Sequence, residues 1–142
     1  YASGPFMAGV GYGQDKKRGG YLANDFKSKW QMLAAYDFKF VRISGFYGRD
    51  SHNNTATTRD SVNYWLIGAK IPVSAAGNIA TNYMQRQVQS DRNGTEKRYQ
   101  IGYMHSLSKR TTLYAAYDND NPNNNANVNT IRALSLGVQH NF

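Results

Sequence analysis

The most constraining feature of this chain is a repeated segment of about ten residues in which apolar and polar side chains alternate. A strand of about this length, tilted as in a barrel, can cross a bilayer and present one of its faces to lipid. We therefore predict an all-β fold, a transmembrane antiparallel β-barrel segment. Its eight strands are expected near residues 4–13, 27–37, 40–49, 61–71, 78–89, 96–105, 111–118 and 130–142.

The connections between these segments alternate in character. Those after the first, third, fifth and seventh segments are polar and mostly longer, whereas those after the second, fourth and sixth are shorter. Outer-membrane barrels have this asymmetry, with short periplasmic turns and longer extracellular loops. The alternation predicts that the chain starts on the periplasmic side and that Phe142 ends there. A soluble β-sandwich would also have short strands and turns, but it gives no reason for the alternation.

Composition favours strands over helices as the membrane-crossing elements. No stretch approaches about 18 apolar residues, so no transmembrane helix is expected. The mean hydropathy of −0.68 is low, but a barrel strand turns only every second residue toward lipid. The chain has no cysteine, which excludes disulfides and thiolate metal sites. Tyr1 does not start a natural reading frame, so we expect a segment to have preceded it.

The charge balance bears on possible partners. The chain has 17 Lys and Arg against 9 Asp and Glu, a formal net charge of +8. The basic residues are scattered and never form a run of five, which argues against nucleic acid and leaves anionic solutes or lipids. His52, His105 and His140 lie in different segments, so we expect neither a metal site nor a cofactor.

Polar side chains within the alternating segments are candidates for a water-facing interior. A charge on the lipid face costs about 2–4 kcal/mol at the bilayer midplane, so mid-strand Arg42 should face water. Basic side chains that line a pore raise the local anion concentration, which predicts a preference for anions. For Lys27, Lys29 and Arg98, a position at strand ends among lipopolysaccharide and loops is an open alternative. The pore-lining candidates are Lys29, Gln31, Arg42, Ser44, Arg86 and Arg98.

These basic candidates have no obvious acidic partners in mid-strand. Asp37 and Glu96 fall at segment ends, and the other carboxylates considered fall in loops, where solvation is expected. A self-closed barrel of eight strands is filled by its own side chains and would need interlocking charged pairs. The predicted lack of such pairs favours an open pore. The loop carboxylates are Asp15, Asp50, Asp91, Asp118 and Asp120.

Aromatic side chains recur near the segment ends. Membrane barrels carry aromatic girdles there, at the two membrane interfaces. Cross-strand packing in any sheet would also explain aromatic residues at these positions. The girdle candidates are Tyr12, Trp30, Tyr36, Tyr47, Tyr99, Tyr117 and Phe142.

Residues 99–142 carry the most specific pattern, in four pieces: Tyr99–Gly102, Leu107–Thr111, Leu113–Tyr117 and the closing Gly137–Phe142. Together they resemble the end of the general porins of β-proteobacteria and other Gram-negative bacteria, and the rest of the chain resembles this family less specifically. The resemblance implies the C-terminal half of a 16-stranded, homotrimeric barrel. It also implies that Phe142 acts as an assembly signal and that the constriction loop lies outside this chain.

The resemblance implies an outer-membrane porin that passes small hydrophilic solutes and ions by passive diffusion, and the basic candidates add a preference for small anions. The expected partners are outer-membrane lipid, lipopolysaccharide, the N-terminal half of the barrel and further copies in a homotrimer. The first alternative is a self-contained eight-stranded outer-membrane barrel with a structural or adhesive role. The second is a small outer-membrane enzyme such as a lipid hydrolase. No nucleophile, base and orienting group converge in the sequence, so we expect no enzyme.

Overall fold

The computed structural model describes residues 1–14, 25–53, 59–89, 94–122 and 129–142. They form a nine-stranded antiparallel sheet in which each strand pairs with the next along the chain. None of the described residues forms a helix that is long and apolar enough to cross a bilayer. The strands are β1 (Ala2–Ser3), β2 (Phe6–Gln14), β3 (Asp25–Asp37), β4 (Arg42–Asn53), β5 (Arg59–Pro72), β6 (Gly77–Gln89), β7 (Gly94–Ser106), β8 (Thr111–Asn121) and β9 (Ile131–His140).

The eight long strands, β2 to β9, confirm the predicted all-β antiparallel architecture, and β1 is an additional strand of two residues. The segment predicted from residue 4 begins only at Phe6, because Gly4 and Pro5 form a turn. Gly4 has a φ of 54° there, a conformation that glycine adopts without a steric penalty. Ser3 pairs with Phe6 across this turn.

The connection between β3 and β4 lies slightly later than the sequence predicts. The expected turn at residues 37–39 is instead closed by a hydrogen bond that Phe38 N donates to Val41 O at 2.9 Å. Asp37 Oδ1 accepts a second hydrogen bond from Lys39 N at 2.8 Å, and Lys39 has a φ of 73°. The strand predicted from residue 40 therefore begins at Arg42.

Two strands continue by at least three residues past their predicted ends. β4 runs to Asn53 and β8 to Asn121, so Asp50, Asp118 and Asp120 lie in strands. The prediction that placed these three carboxylates in loops is wrong. Polar residues ended the predicted strands, whereas strand pairing continues through them.

The two ends of the sheet differ. Tight turns at residues 38–41, 73–76 and 107–110 lie at one end, which we call the short-turn end. The turn at 107–110 is fastened by Ser108, whose Oγ accepts hydrogen bonds from Arg110 N and Thr111 N, both at 3.1 Å. The opposite end, which we call the loop end, carries the connections that include residues outside the described ranges. The predicted loop carboxylates Asp15 and Asp91 are among those residues.

The sheet has almost no apolar core. Ala35 and Val62 are the only buried apolar side chains among the described residues. Val10, by contrast, is 84% exposed and Leu136 is 74% exposed. Soluble domains bury most side chains of this type, so this sheet needs an apolar environment supplied from outside the described residues.

The sheet is open. β9 pairs with β8 alone, and β2 pairs with β3 and the two-residue β1. Within the part of the chain that the structure describes, the first and last long strands do not pair with each other. Both edges therefore present backbone groups that the sheet itself leaves without a strand partner.

Candidate functional site

The strand register assigns the six predicted pore-lining residues to one face of the sheet. Directly opposed residues of neighbouring strands point to the same side. One row of opposed residues runs through Gln31, Gly48, Tyr64, Arg86 and Glu96. Parallel rows on the same face contain the other four predicted residues. We call this side the inner face, and its predicted members are Lys29, Gln31, Arg42, Ser44, Arg86 and Arg98.

Solvent exposure supports the name of this face. Along most of β2, β4 and β7, inner-face residues are less exposed than their neighbours on the opposite, outer face. In β7, for example, Arg98 and Gln100 are half-buried, whereas Tyr99 and Ile101 are 44% and 49% exposed. This difference is what we expect if the sheet curls toward the inner face.

The basic residues of the inner face have acidic partners, contrary to the prediction from the sequence. Lys29 Nζ lies 3.8 Å from Asp50 Oδ2, and Arg86 Nη1 lies 3.3 Å from Glu96 Oε2. The sequence concealed the first pair because Asp50 was assigned to a loop. Only the pairing of β6 with β7 places Arg86 directly opposite Glu96.

A third pair is part of a hydrogen-bond network that crosses three strands. Arg98 Nε in β7 donates to both carboxylate oxygens of Asp118 in β8, at 3.0 and 3.1 Å. Gln100 Nε2 donates to Asp118 Oδ2 at 2.8 Å, and Asn82 Nδ2 in β6 donates to Gln100 Oε1 at 3.1 Å. Asp120 lies opposite Arg98, and its Oδ1 is buried without a hydrogen-bond partner among the described residues.

A second polar cluster surrounds Tyr64, a residue that the sequence did not single out. Its Oη donates to Asp50 Oδ1 at 2.9 Å, and Lys29 Nζ lies 5.8 Å from the centre of its ring. The ring lies across Gly48, where an added Cβ would fall 2.4 Å from a ring carbon. Gly48 therefore has to be glycine for the ring to reach Asp50 in this arrangement.

Among the inner-face side chains that the structure describes, charge is balanced but unevenly distributed. The three ion pairs lie toward the loop end. Arg42 and Lys70 are directly opposed near the short-turn end, with Asp37 opposite Arg42. Neither Arg42 nor Lys70 forms an ion pair with another described residue. The basic side chains Lys29, Arg42, Lys70, Arg86 and Arg98 are matched in number by Asp37, Asp50, Glu96, Asp118 and Asp120.

The inner face also contains an apolar row. Leu33, Phe46, Leu66 and Met84 are successive opposed residues across β3 to β6. The sequence left the phase of residues 61–71 ambiguous, because Tyr64 to Ile67 is an unbroken apolar run. The run exists because both faces of β5 are apolar at this level.

The outer face carries the predicted aromatic residues. Three aromatic contacts cross the strands there: Trp30 with Tyr47 at 5.3 Å between ring centres, Trp65 with Tyr83 at 5.3 Å, and Tyr99 with Tyr117 at 6.1 Å. Of the seven girdle candidates, Tyr36 lies at the short-turn end, and Phe142 lies beyond β9 with its ring 4.9 Å from that of His140. We call the set near the loop end the aromatic line: Tyr12, Trp30, Tyr47, Trp65, Tyr83, Tyr99 and Tyr117.

The aromatic line runs diagonally across the strands. The row of opposed residues that starts at Trp30 in β3 reaches Thr95 in β7, whereas the line reaches Tyr99. At about 3.4 Å per residue and about 4.8 Å per strand, this shift of four residues over four strands corresponds to an angle of about 35°. Strands of membrane barrels tilt by about 35–45°, so the line would lie level in the plane of a membrane.

An apolar band separates the aromatic line from the short-turn end. Among the described outer-face residues of this band there is no Asp, Glu, Lys or Arg. Its ends at the short-turn side carry Phe6, Tyr36 and His140. The band carries no charged residue, and the aromatic line bounds it on the loop-end side, as in the lipid-facing surface of membrane barrels. Its larger members include Val10, Met32, Ile67, Ile101, Leu134, Leu136 and Val138.

Comparisons with known proteins agree with this architecture. The family model for the Gram-negative porins matches residues 1–140. Outer membrane porin protein 32 of Delftia acidovorans is 32% identical to the chain over 119 residues, which cover 80% of the chain and 32% of that relative. The chain thus spans about a third of the length of this curated relative. No solved structure gives a significant match.

These matches also bear on location. Both the family and the relative are porins, and the relative is an outer-membrane protein. The predicted location in the bacterial outer membrane is therefore confirmed. The family match covers nearly the whole chain, and the two faces of the sheet agree with it. The chain therefore belongs to the Gram-negative porin family.

Proposed function

We propose that the inner face lines part of a water-filled channel through which small hydrophilic solutes and ions diffuse passively. The observation that carries this proposal is the division of the sheet, with ion pairs on the inner face and an uncharged band on the outer face. Charges facing lipid at the midplane would cost about 2–4 kcal/mol each.

The channel requires strands beyond those of this chain. In hydrocarbon, every backbone donor and acceptor must be paired, so the open edges of β2 and β9 need partners. A closed barrel of eight strands has an interior filled by side chains. We therefore favour half of a 16-stranded barrel, as the resemblance implies, over the self-contained eight-stranded barrel with a structural or adhesive role. The fraction of the relative that the chain covers agrees with a larger barrel.

The proposal extends to selectivity and assembly. A preference for anions would come from Arg42 and Lys70, which have no acidic partner among the described residues. Lys29, Arg86 and Arg98 contribute less, because each is neutralised by a carboxylate. Porins are channels, so a catalytic role is not proposed. Assembly into a homotrimer, contact with lipopolysaccharide, and recognition of Phe142 as an assembly signal are parts of the same proposal.

Neighbouring residues on opposite faces give a direct test. In the full-length protein without other thiols, Ser44→Cys would place a thiol on the inner face and Gly45→Cys one on the outer face. A charged, water-soluble thiol reagent should react with the first variant and reduce its single-channel conductance in a planar bilayer. The second variant is the matched control and should react only with a membrane-soluble reagent. Equal reaction at both positions, or no conductance from the unmodified protein, would contradict the proposal.

A further inference from the structure

The inner face is concave toward the short-turn end of β4 and β5. Three successive rows of opposed residues produce this shape across β3 to β6. The middle row has short side chains, those of Ala35, Ser44, Gly68 and Asn82. On its loop-end side lies the apolar row described above. On its other side lies the row of Asp37, Arg42, Lys70 and Ala80. Short side chains between two rows that carry longer ones leave a groove.

The groove is large enough for a small organic molecule. Its volume is about 490 Å³, within the range of pockets that hold such ligands. Its lining includes Phe46 and Leu66 from the apolar row and Arg42 and Lys70 from the row nearer the turns. A single bound molecule can therefore contact an apolar surface and two cations at once. We call this space the amphipathic groove.

The apolar side of the amphipathic groove is only partly covered by the protein. Phe46 and Leu66 are half-buried, and Leu33 is 40% exposed. The ring of Phe46 stacks on that of Tyr64, with 5.7 Å between ring centres and 21° between ring planes. This contact supports the ring of Phe46 from one side. An apolar group that settles against these side chains removes its own surface and theirs from water, which favours binding.

The cationic side of the amphipathic groove lacks a counterion within the described residues. Arg42 and Lys70 are directly opposed in β4 and β5, and both are exposed. Neither forms an ion pair with another described residue. Asp37 lies opposite Arg42, but its Oδ1 accepts a hydrogen bond from Lys39 N. Like charges directly opposite each other destabilise a strand pair, and an anion held between them would relieve this repulsion.

We propose that the amphipathic groove binds small carboxylates that carry an apolar or aromatic body, such as phenylalkanoates, on their way through the channel. The carboxylate lies between Arg42 and Lys70, where charge-assisted hydrogen bonds favour it, and the apolar body contacts Phe46 and Leu66. This inference rests on the proposed function, because it takes the inner face to line a water-filled channel. It narrows the solute class, since an inorganic anion would use the cations alone.

The test measures how long a solute occupies the channel of the full-length protein in a planar bilayer. The probe is hydrocinnamate, a phenyl ring on a short carboxylate chain. Acetate has the same charge without the ring, and phenylpropylammonium has the ring with the opposite charge. Hydrocinnamate should interrupt the KCl current with dwell times about tenfold longer than either control solute, because only hydrocinnamate satisfies both sides of the groove.

One pair of variants tests the cationic side. Arg42→Gln/Lys70→Gln should shorten the dwell time of hydrocinnamate about tenfold, as expected for the loss of two partly exposed charge contacts. Lys29→Gln/Arg86→Gln is the matched control, since it removes two positive charges from the loop end of the inner face. It should leave the dwell time unchanged, because dwell time reports contacts in the groove rather than attraction from a distance.

A second pair tests the apolar side. Phe46→Ala should shorten the dwell time of hydrocinnamate about fivefold, since it removes most of the apolar surface on which the ring rests. Met84→Ala is its control, because Met84 belongs to the same row but does not line the groove. Leu66→Ala replaces Phe46→Ala if that variant fails to fold, and it should act in the same direction.

The outcomes separate this inference from the channel itself. Equal dwell times for hydrocinnamate and acetate in a protein that conducts KCl would overturn the inference, as expected if another segment of the full-length protein covers the groove. Equal shortening by Lys29→Gln/Arg86→Gln would also overturn it. Hydrocinnamate binding is measured separately by equilibrium titration in detergent. Binding that Phe46→Ala weakens, in a protein that conducts no ions, would contradict the channel and leave the groove as a binding site.

Discussion

Lys97 and Arg98 are neighbours in β7 and lie on opposite faces of the sheet, and the surroundings of their positive charges differ. Arg98, on the inner face, donates to both oxygens of Asp118 and is part of a network that reaches Asn82. Lys97, on the outer face, has amide side chains at its opposed positions and no acidic partner among the described residues. The comparison indicates that Arg98 on the inner face is held by an ion pair within the sheet. Lys97 on the outer face has no such partner among the described residues, so its charge is available to molecules outside the sheet.

The largest effect that would test this comparison is a charge placed inside the apolar band. Leu136→Lys puts an ammonium on the outer face and should lower the free energy of unfolding by about 2–4 kcal/mol. Its neighbour Ser135 lies on the inner face, so Ser135→Lys should change stability by less than about 1 kcal/mol. Urea unfolding of the full-length protein in lipid vesicles measures both. Similar losses in the two variants would mean that the faces are assigned incorrectly.

A somewhat smaller effect is expected where the inner face is most tightly packed. Gly48→Ala would push the ring of Tyr64 away from Asp50 and should cost about 1–3 kcal/mol, as overpacking does. At Gly45, the nearest atom to an added Cβ is Leu66 O at 4.0 Å. Gly45→Ala should therefore be neutral or slightly stabilising in the same unfolding measurement. If Gly48→Ala leaves the free energy of unfolding unchanged, the ring of Tyr64 can move without an energetic cost.

The next test compares the loss of stability when the charge of Arg98 or of Lys97 is removed. Arg98→Gln leaves Asp118 without its cation and should cost about 1–2 kcal/mol, since hydrogen bonds between charged groups are strong but this pair is partly exposed. The side chains of Arg98 and Asp118 are 39% and 21% exposed. Lys97→Gln should change stability by less than about 0.5 kcal/mol. A double-mutant cycle with Asp118→Asn then isolates the coupling energy, and a coupling near zero would remove the distinction between the faces.

The smallest expected effect concerns ion selectivity. A unit charge about 10 Å from the path of an ion changes its energy in water by about 0.4 kcal/mol, or about twofold in local concentration. Screening at about 0.1 M salt, where the Debye length is about 10 Å, reduces this energy to about 0.15 kcal/mol. Since two charges are removed and each acts with opposite sign on anions and cations, Arg42→Gln/Lys70→Gln should lower the anion-to-cation permeability ratio about threefold. Arg49→Gln/Lys97→Gln, on the outer face, should not change it. Reversal potentials under a KCl gradient give the ratio, and a cation-preferring unmodified protein would refute the anion proposal.

The alternation of side chains was enough to place six pore-lining candidates on one face, because a period of two assigns faces without any knowledge of strand pairing. It could not find the partners of those residues. Asp50 and Asp118 looked like loop residues, since hydropathy ends a strand where polar residues begin. Polar residues continue along the inner face as far as the loop end. A change from apolar to polar residues therefore does not mark where strand pairing stops. Finding that Arg86 faces Glu96 required the register of β6 against β7.

The meander order of the strands has a consequence for how such a protein can change over evolution. Every strand pairs only with its neighbours along the chain, from β1 to β9. A duplication or deletion of one hairpin would therefore leave all other pairings intact and alter the circumference by two strands. A newly added hairpin would still have to carry its aromatic residues along the same diagonal, about one residue further per strand. In the proposed channel, the diameter would therefore change in steps of two strands, whereas the aromatic line would keep its position relative to the membrane.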